Sequence, residues 1–392
     1  MMFLEYFIWG AWYVTLGSYL FNHFDVTAVH IGSIYANLSI GAIISPFIIG
    51  LVADRFLPAQ YVLSILHLLG AALLFGASQV ADFGTLWWIV LVYTILYMPT
   101  ISISNSISFR HLKQPDKEFP FVRVFGTVGW ICVGLLLSYL NWETSAYTFI
   151  IASIASVILG ILALFLPHTP CEAKSKFNIK SILQLESLVL LKDKTFLIFF
   201  LCSIAICIPL SFYYSFTNSF LNDVGMEHVA SKMTLGQLSE MLCMLIIPFL
   251  FRRLGVKYML LIGVIAWIIR YLCFAYGDIN QSSYLLLLGI ILHGICYDFF
   301  FVTGQIYTDN KAPLAIKSAA QGLVTIATYG IGMLIGSYLS GWVTELFIHD
   351  SSELYMYDWK NVWLFPALLS IVILLALICF FKQKPEVASK IN

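Results

Sequence analysis

Asp298 stands in the stretch GICYDFFFVTGQIY, residues 294–307, with Cys296 and Tyr297 before it and Phe299, Phe300 and Phe301 after it. The run that leads to it, SSYLLLLGIILHGIC, is apolar enough to cross a bilayer. An aspartate at the centre of an inserted helix costs about 2.5–3.5 kcal/mol, so such a group calls for a reason. It can line a pathway and exchange a proton, or it can be tied to a neighbouring helix by an ion pair. A second polar stripe lies in TLGQLSEMLCM, where Gln237 and Glu240 share one helical face. An amide beside a carboxylate offers donors and acceptors together, which suits a hydroxyl-rich solute or a clamp between helices. In FVRVFGTVGW, Arg123, Thr127 and Trp130 fall at i, i+4 and i+7, again one face. Arg123 alone would also fit a cytoplasmic flank. In SFYYSFTNSF, Ser211, Tyr214 and Asn218 share a face, and YMPTISISNSISF carries Pro99 and hydroxyls ending near Asn105. Trp9, Trp12 and Tyr13 sit in FIWGAWYVTLGSY, where aromatics more often anchor a helix at an interface than stack on a ligand. Arg270, inside another apolar run, is expected to snorkel or to pair structurally.

The elements that must position these residues are membrane helices. The chain has 392 residues, of which 60% are hydrophobic and 11% charged, and its mean hydropathy is +0.89. That much apolar surface requires lipid as solvent, so the bilayer is an expected partner. A span needs about 20 apolar residues. Irregular backbone cannot face lipid, and the alternating ten-residue strands of a membrane barrel are absent. Apolar runs fall at roughly 3–22, 31–53, 61–80, 85–109, 122–141, 146–166, 195–219, 229–250, 258–276, 283–307, 315–346 and 361–381. The eleventh is long and is expected to bend at its glycines.

The chain therefore reads as an all-α membrane protein of twelve transmembrane helices in two pseudo-symmetric halves. Residues 1–166 form one six-helix bundle, 167–194 a cytoplasmic linker and 195–392 the second bundle. Lys and Arg crowd one set of loops, among them Arg55, Arg110, Lys113, Arg123, Lys192, Arg252, Lys257, Lys311 and Lys382, whereas the opposite loops hold Lys232 and Lys360. The positive-inside rule puts both termini in the cytoplasm. The N-terminal MMFLEYFIWG has no basic leader and reads as a retained first span. Zero net charge gives no indication of a nucleic-acid partner. The eight cysteines lack the spacing of a disulfide framework, and the eight histidines lack helical metal-ligand pairs. No cofactor or metal is called for, and no nucleophile stands with a base as an enzyme would need. Spans 1, 4, 5, 7, 8 and 10 carry the polar and aromatic residues, while 3, 6, 9 and 12 are nearly uniform apart from His67 and Arg270. This distribution implies a central polar cavity ringed by lipid-facing helices.

The glycines of spans 5 and 11 echo each other, as internal repeats do in secondary transporters. The twelve-span plan and the loop GLVADRF resemble the major facilitator superfamily. More specifically, WGAWYVTLGSYLF, YMPTISISNSISF, FPFVRVFGTVGW, QLSEMLCMLIIPFLFRRLGVK, RYLCFAYGD, YDFFFVTG and SAAQGLVTIATYGIGMLIGSYLSG are similar to the nucleoside:proton symporter family. The similarity runs from the first span to the eleventh. It implies proton-coupled import of nucleosides across the bacterial inner membrane by alternating access, in a monomer. It implies proton coupling by Asp298, Glu240 and Arg123. Substrate contacts would come from Gln237, Glu240, Thr127, Trp130, Ser211, Tyr214, Tyr297 and Asp298. Two departures bear on the substrate: Ser211 and Tyr214 stand where relatives carry amides, and His293 where they carry a tyrosine. A superfamily symporter for a sugar or another small polar solute is the alternative.

Overall fold

The computed structural model describes residues 1–48, 57–170, 185–348 and 357–382. The loop GLVADRF with Arg55, and 171–184 of the linker, lie outside the described residues.

Among the described residues, twelve helical crossings follow the apolar runs. The first, α1, is Met2–Trp12 continued after a short break as Leu16–His23. Then come α2 Ala28–Ile48, α3 Ala59–Ala77, α4 Phe83–His111, α5 Pro115–Tyr139 and α6 Tyr147–Ala163. The second half has α7 Lys194–Asp223, then α8 and α9 within one segment Val229–Tyr276, α10 Ser283–Lys311, α11 Lys317–Leu346 and α12 Trp359–Phe380. No loop separates α8 from α9. A single kink does, at Gly255, whose φ of 71° lies in the left-handed region that favours glycine. α11 departs from α-geometry at a π turn, Ile326–Gly332, that contains Gly330 and Gly332. α7 is capped by Asp193, which accepts from Thr195 N at 2.9 Å and Phe196 N at 3.0 Å. Lys311, 2.8 Å away at the end of α10, together with these N–H groups holds that carboxyl below its usual range.

α3, α6, α9 and α12 present apolar outer faces, with Leu69, Ile158, Ile269 and Val372 exposed in turn. In water such faces would be a liability; in a bilayer they are the lipid contact. Their inner faces are not uniformly apolar. His67 of α3 lies 3.1 Å from Glu5 of α1, which also accepts from Thr100 Oγ1 at 2.5 Å and Ser104 Oγ at 3.0 Å. Glu5 is fully buried with its acceptors used, and this knot ties α1 to α3 and α4. Glu5 gives little sign of this role in the sequence, because it stands near the N-terminus, where a charge is ordinarily a flank.

The halves meet through a repeated device. In α5, Gly129 lies against the Phe3 carbonyl of α1, and Gly134 against Thr234 of α8 in the other half. In α11, Gly336 lies against Ser211 of α7, and Gly341 against Ala28 and Gly32 of α2 in the other half. Each half also sends one glutamate to a helix N-terminus of its partner. Glu345, at the end of α11, accepts from Ala28 N at 2.8 Å. Glu143, beyond the end of α5, accepts from Ala230 N at 2.9 Å and also takes the Ser138 hydroxyl. Carboxylates are stabilising at helix N-termini, whose first N–H groups have no intrahelical acceptor. Ser18 Oγ donates to Asn218 Oδ1 at 2.6 Å to complete the seal between α1 and α7. The contacts of Gly134, Gly341, the two glutamates and Ser18 lie at the end of the bundle away from the Lys/Arg-rich loops.

This seal is testable at Gly32. A Cβ there would collide with the Ser337 carbonyl and come 3.0 Å from Gly341 Cα. Overpacking costs about 1–3 kcal/mol, so Gly32→Val is expected to depopulate the sealed state by roughly 5- to 150-fold. Thiol labelling of a Val14→Cys reporter from the sealed side should rise accordingly. Unchanged labelling would show that the α2–α11 contact is not the seal.

Candidate functional site

Between the halves lies a cavity of about 660 Å³, within the ordinary size of small-molecule sites. On the side of the basic loops it is lined by Ser45, Ser102, Asn105, Gln305 and Thr325. Its floor is the sealed end just described.

The first half supplies an aromatic wall. Tyr6, Trp9 and Tyr13 recur at i, i+3 and i+7 on α1 and all reach the cavity. Trp130 of α5 meets Trp9 edge to face at 5.6 Å, and Tyr13 lies 5.5 Å from Tyr214 of α7. Arg123 and Thr127 line the same side as Trp130. The Arg123 guanidinium rests 4.0 Å over the Tyr6 ring, an arrangement attractive through the ring quadrupole. Gly126 makes room for it, since a Cβ would collide with both Tyr6 and Arg123.

The second half supplies the polar stripe and a second aromatic wall. Gln237 and Glu240 of α8 reach the cavity together, one turn apart. Gly294 lets α10 approach α8 closely, because a Cβ would collide with the Ser239 and Glu240 backbone. His293 and Tyr297 line the wall from α10, and Tyr329 from α11. The Tyr297 and Tyr329 hydroxyls are hydrogen-bonded to each other. Both sit at π turns, Asp298–Val302 in α10 and Ile326–Gly332 in α11. Such turns re-aim side chains and recur at functional sites.

Seven of the named site residues thus share one cavity: Arg123, Thr127, Trp130, Tyr214, Gln237, Glu240 and Tyr297. Two do not. Ser211 is fully buried and gives its hydroxyl to the Cys207 carbonyl at 2.9 Å, packed against α11. On a long helix one turn is enough to carry a residue out of the cavity and into the helix interface. Asp298 lies behind the wall, 0% exposed. Among the described residues neither of its oxygens has a hydrogen-bond partner. It lies within electrostatic reach of Glu240 and of Cys243 on α8. Two helices that the sequence does not mark as cavity walls also contribute. α2 brings Leu38, Ala42, Ser45 and Pro46, and α11 brings Thr325, Tyr329 and Met333. The i, i+4 pair Thr325 and Tyr329 was the available signal.

The chain matches, over residues 1–386, the family described as nucleoside H+ symporter. It is 41% identical over 394 residues to the putative nucleoside transporter YegT of Escherichia coli (strain K12), covering 98% of this chain and 92% of that one. It is 37% identical over 400 residues to the xanthosine permease of the same strain, covering 98% and 94%. The crystal structure of the nucleoside transporter NupG superposes with a TM-score of 0.89 at 33% identity, covering 98% of each chain.

Proposed function

The chain belongs to the nucleoside H+ symporter family and has the major facilitator fold, and we propose that its central cavity holds one nucleoside while Asp298, Glu240 and Arg123 couple its movement to a proton. The observation that carries this reading is the pairing of the Gln237–Glu240 stripe with aromatic walls on both sides of one cavity. A nucleoside is a flat base on a hydroxyl-rich ribose. An amide and a carboxylate one turn apart suit neighbouring hydroxyls, and Trp130 and Tyr297 offer faces to the base.

Asp298 fits the proton's role for a physical reason. An ionised carboxylate without donors is expensive to bury, and a neutral carboxyl much less so. In this reading Asp298 holds its proton while it is enclosed in this way. Rocking the halves about the cavity would open its surroundings and let the proton leave. Glu240, which faces the cavity, lies within reach of Arg123 as well as Asp298 and links substrate to proton. The positive-inside rule supports a cavity that opens to the cytoplasm and cytoplasmic termini, and the Escherichia coli relatives support the bacterial inner membrane as its place. The cycle is thus import, with nucleoside and proton released on the basic side.

Uptake of a radiolabelled nucleoside in a transport-deficient cell tests the reading. Unlabelled nucleosides should compete, and 2′,3′-dideoxy analogues should compete at least about ten-fold less well, because a site built around a hydroxyl leaves its own polar groups unpaired without it. Free bases should compete poorly, and a protonophore should abolish accumulation. Competition by hexoses with none by any nucleoside would overturn the substrate assignment. Accumulation that needs sodium and survives loss of the proton gradient would overturn the coupling.

A further inference from the structure

Arg270 neither snorkels nor meets a carboxylate. It is 0% exposed, and among the described residues it forms no ion pair. Its guanidinium carbon lies 3.4 Å from the Tyr213 ring centre, with Trp267 and Phe274 at 5.3 and 5.8 Å. Aromatic faces thus take the place of a counter-ion. Nε and Nη2 have no hydrogen-bond partner among the described residues. Nη1 has one, and it is His293 Nδ1 at 3.1 Å.

That contact decides the state of the imidazole. A guanidinium keeps its charge and has only donors. Nδ1 must therefore accept, and the ring proton must sit on Nε2. The ring cannot easily turn away from this arrangement. It is stacked on Tyr213 at 4.9 Å with the planes 20° apart, and Tyr214 and Tyr297 stand at 6.3 and 5.8 Å. On the remaining side Gly236 of α8 lies against its Cβ. His293 is 1% exposed yet belongs to the cavity wall, and among the described residues Nδ1 is the ring nitrogen with a hydrogen-bond partner, which leaves Nε2 for a solute.

We infer that Arg270 is a positioning residue for substrate selection: it holds His293 as a fixed Nε2–H donor toward the cavity, and the carrier thereby prefers bases that present a carbonyl over counterparts that present an amino group. Inosine and adenosine differ in this way at the purine six position, and uridine and cytidine at the pyrimidine four position. A fixed donor pairs with the carbonyl and opposes the amino group, as polar sites discriminate by leaving a wrong partner unpaired. The inference rests on the nucleoside reading of the cavity given above.

The test is the ratio of inhibition constants within each pair, measured against uptake of labelled uridine. A ratio is insensitive to how much carrier reaches the membrane. In the wild-type protein inosine should compete at least about ten-fold better than adenosine, and uridine than cytidine. Arg270→Gln puts a group that can both donate and accept against Nδ1, so both tautomers become available and the ratios should fall toward one. Arg270→Lys keeps a donor-only cation and should keep the preference even where its yield drops. His293→Gln leaves Arg270 in place, presents a reversible amide to the cavity, and should also abolish the preference. It decides the matter if the Arg270 variants do not insert. Amino nucleosides that match their oxo counterparts in the wild type, or ratios unchanged in Arg270→Gln and His293→Gln, would overturn the inference. A wild-type protein in which no nucleoside competes would instead overturn the nucleoside reading beneath it.

Discussion

Asp298→Asn is expected to abolish concentrative uptake while leaving the protein inserted and able to exchange internal for external nucleoside. The substitution keeps the shape of the side chain and removes its titratable proton. A neutral amide is cheaper in an apolar helix than a carboxylate, so insertion should not suffer. Asp298 is fully buried with no partner for either oxygen among the described residues, so no ion pair or hydrogen bond is lost. It does not line the cavity, so direct substrate contact should be unaffected in this state. What is lost is the coupling. A potential of about 100 mV is worth about 2.3 kcal/mol per charge moved, enough for roughly fifty-fold accumulation. In proteoliposomes under an imposed proton gradient the variant should bring internal nucleoside no higher than the external concentration. Counterflow should stay near the wild-type rate. Wild-type accumulation would reduce Asp298 to a structural residue, and loss of counterflow together with accumulation would show a role in the rocking motion itself.

Arg123→Ala is expected to lower initial uptake by about ten-fold or more, the scale for removing one partner of a partly desolvated charge arrangement. Arg123 is held over Tyr6 and lies within reach of Glu240. Truncation takes a cation from the cavity, leaves the Glu240 charge uncompensated, and frees the Tyr6 ring. Arg123→Lys restores the charge but not the planar stacking or the forked donors, so partial recovery is expected. Uptake at several substrate concentrations separates the two contributions. Lost substrate contact would appear in KM, and lost coupling in the level of accumulation. Uptake equal to wild type, at equal amounts of inserted protein, would make Arg123 an ordinary membrane flank.

What the chain's residues determine by themselves is extensive, because in lipid the backbone has few choices. Every crossing must satisfy its own hydrogen bonds, so apolar length alone marks the helices. The stripe at Gln237 and Glu240 and the face of Arg123, Thr127 and Trp130 follow from helical periodicity, and those residues do meet in one cavity. The family was also legible in the residues and is the one the chain matches.

Tertiary packing decided what periodicity cannot reach. Whether a residue on a polar face lines a cavity or a helix interface depends on the neighbouring helix, and this is why Ser211 faces α11 and Asp298 lies behind the wall. π turns, invisible to a regular repeat, aim Tyr297 and Tyr329 at each other across two helices. Partners far apart in sequence were equally hidden: Glu5 with His67, Glu345 with the start of α2, and Arg270 with His293. A charged group inside an apolar run, as Arg270 is, announces that it needs a partner, since burial without one is costly. Only the folded chain says which partner it has, because that choice is made by the three-dimensional approach of helices and leaves no period in the sequence.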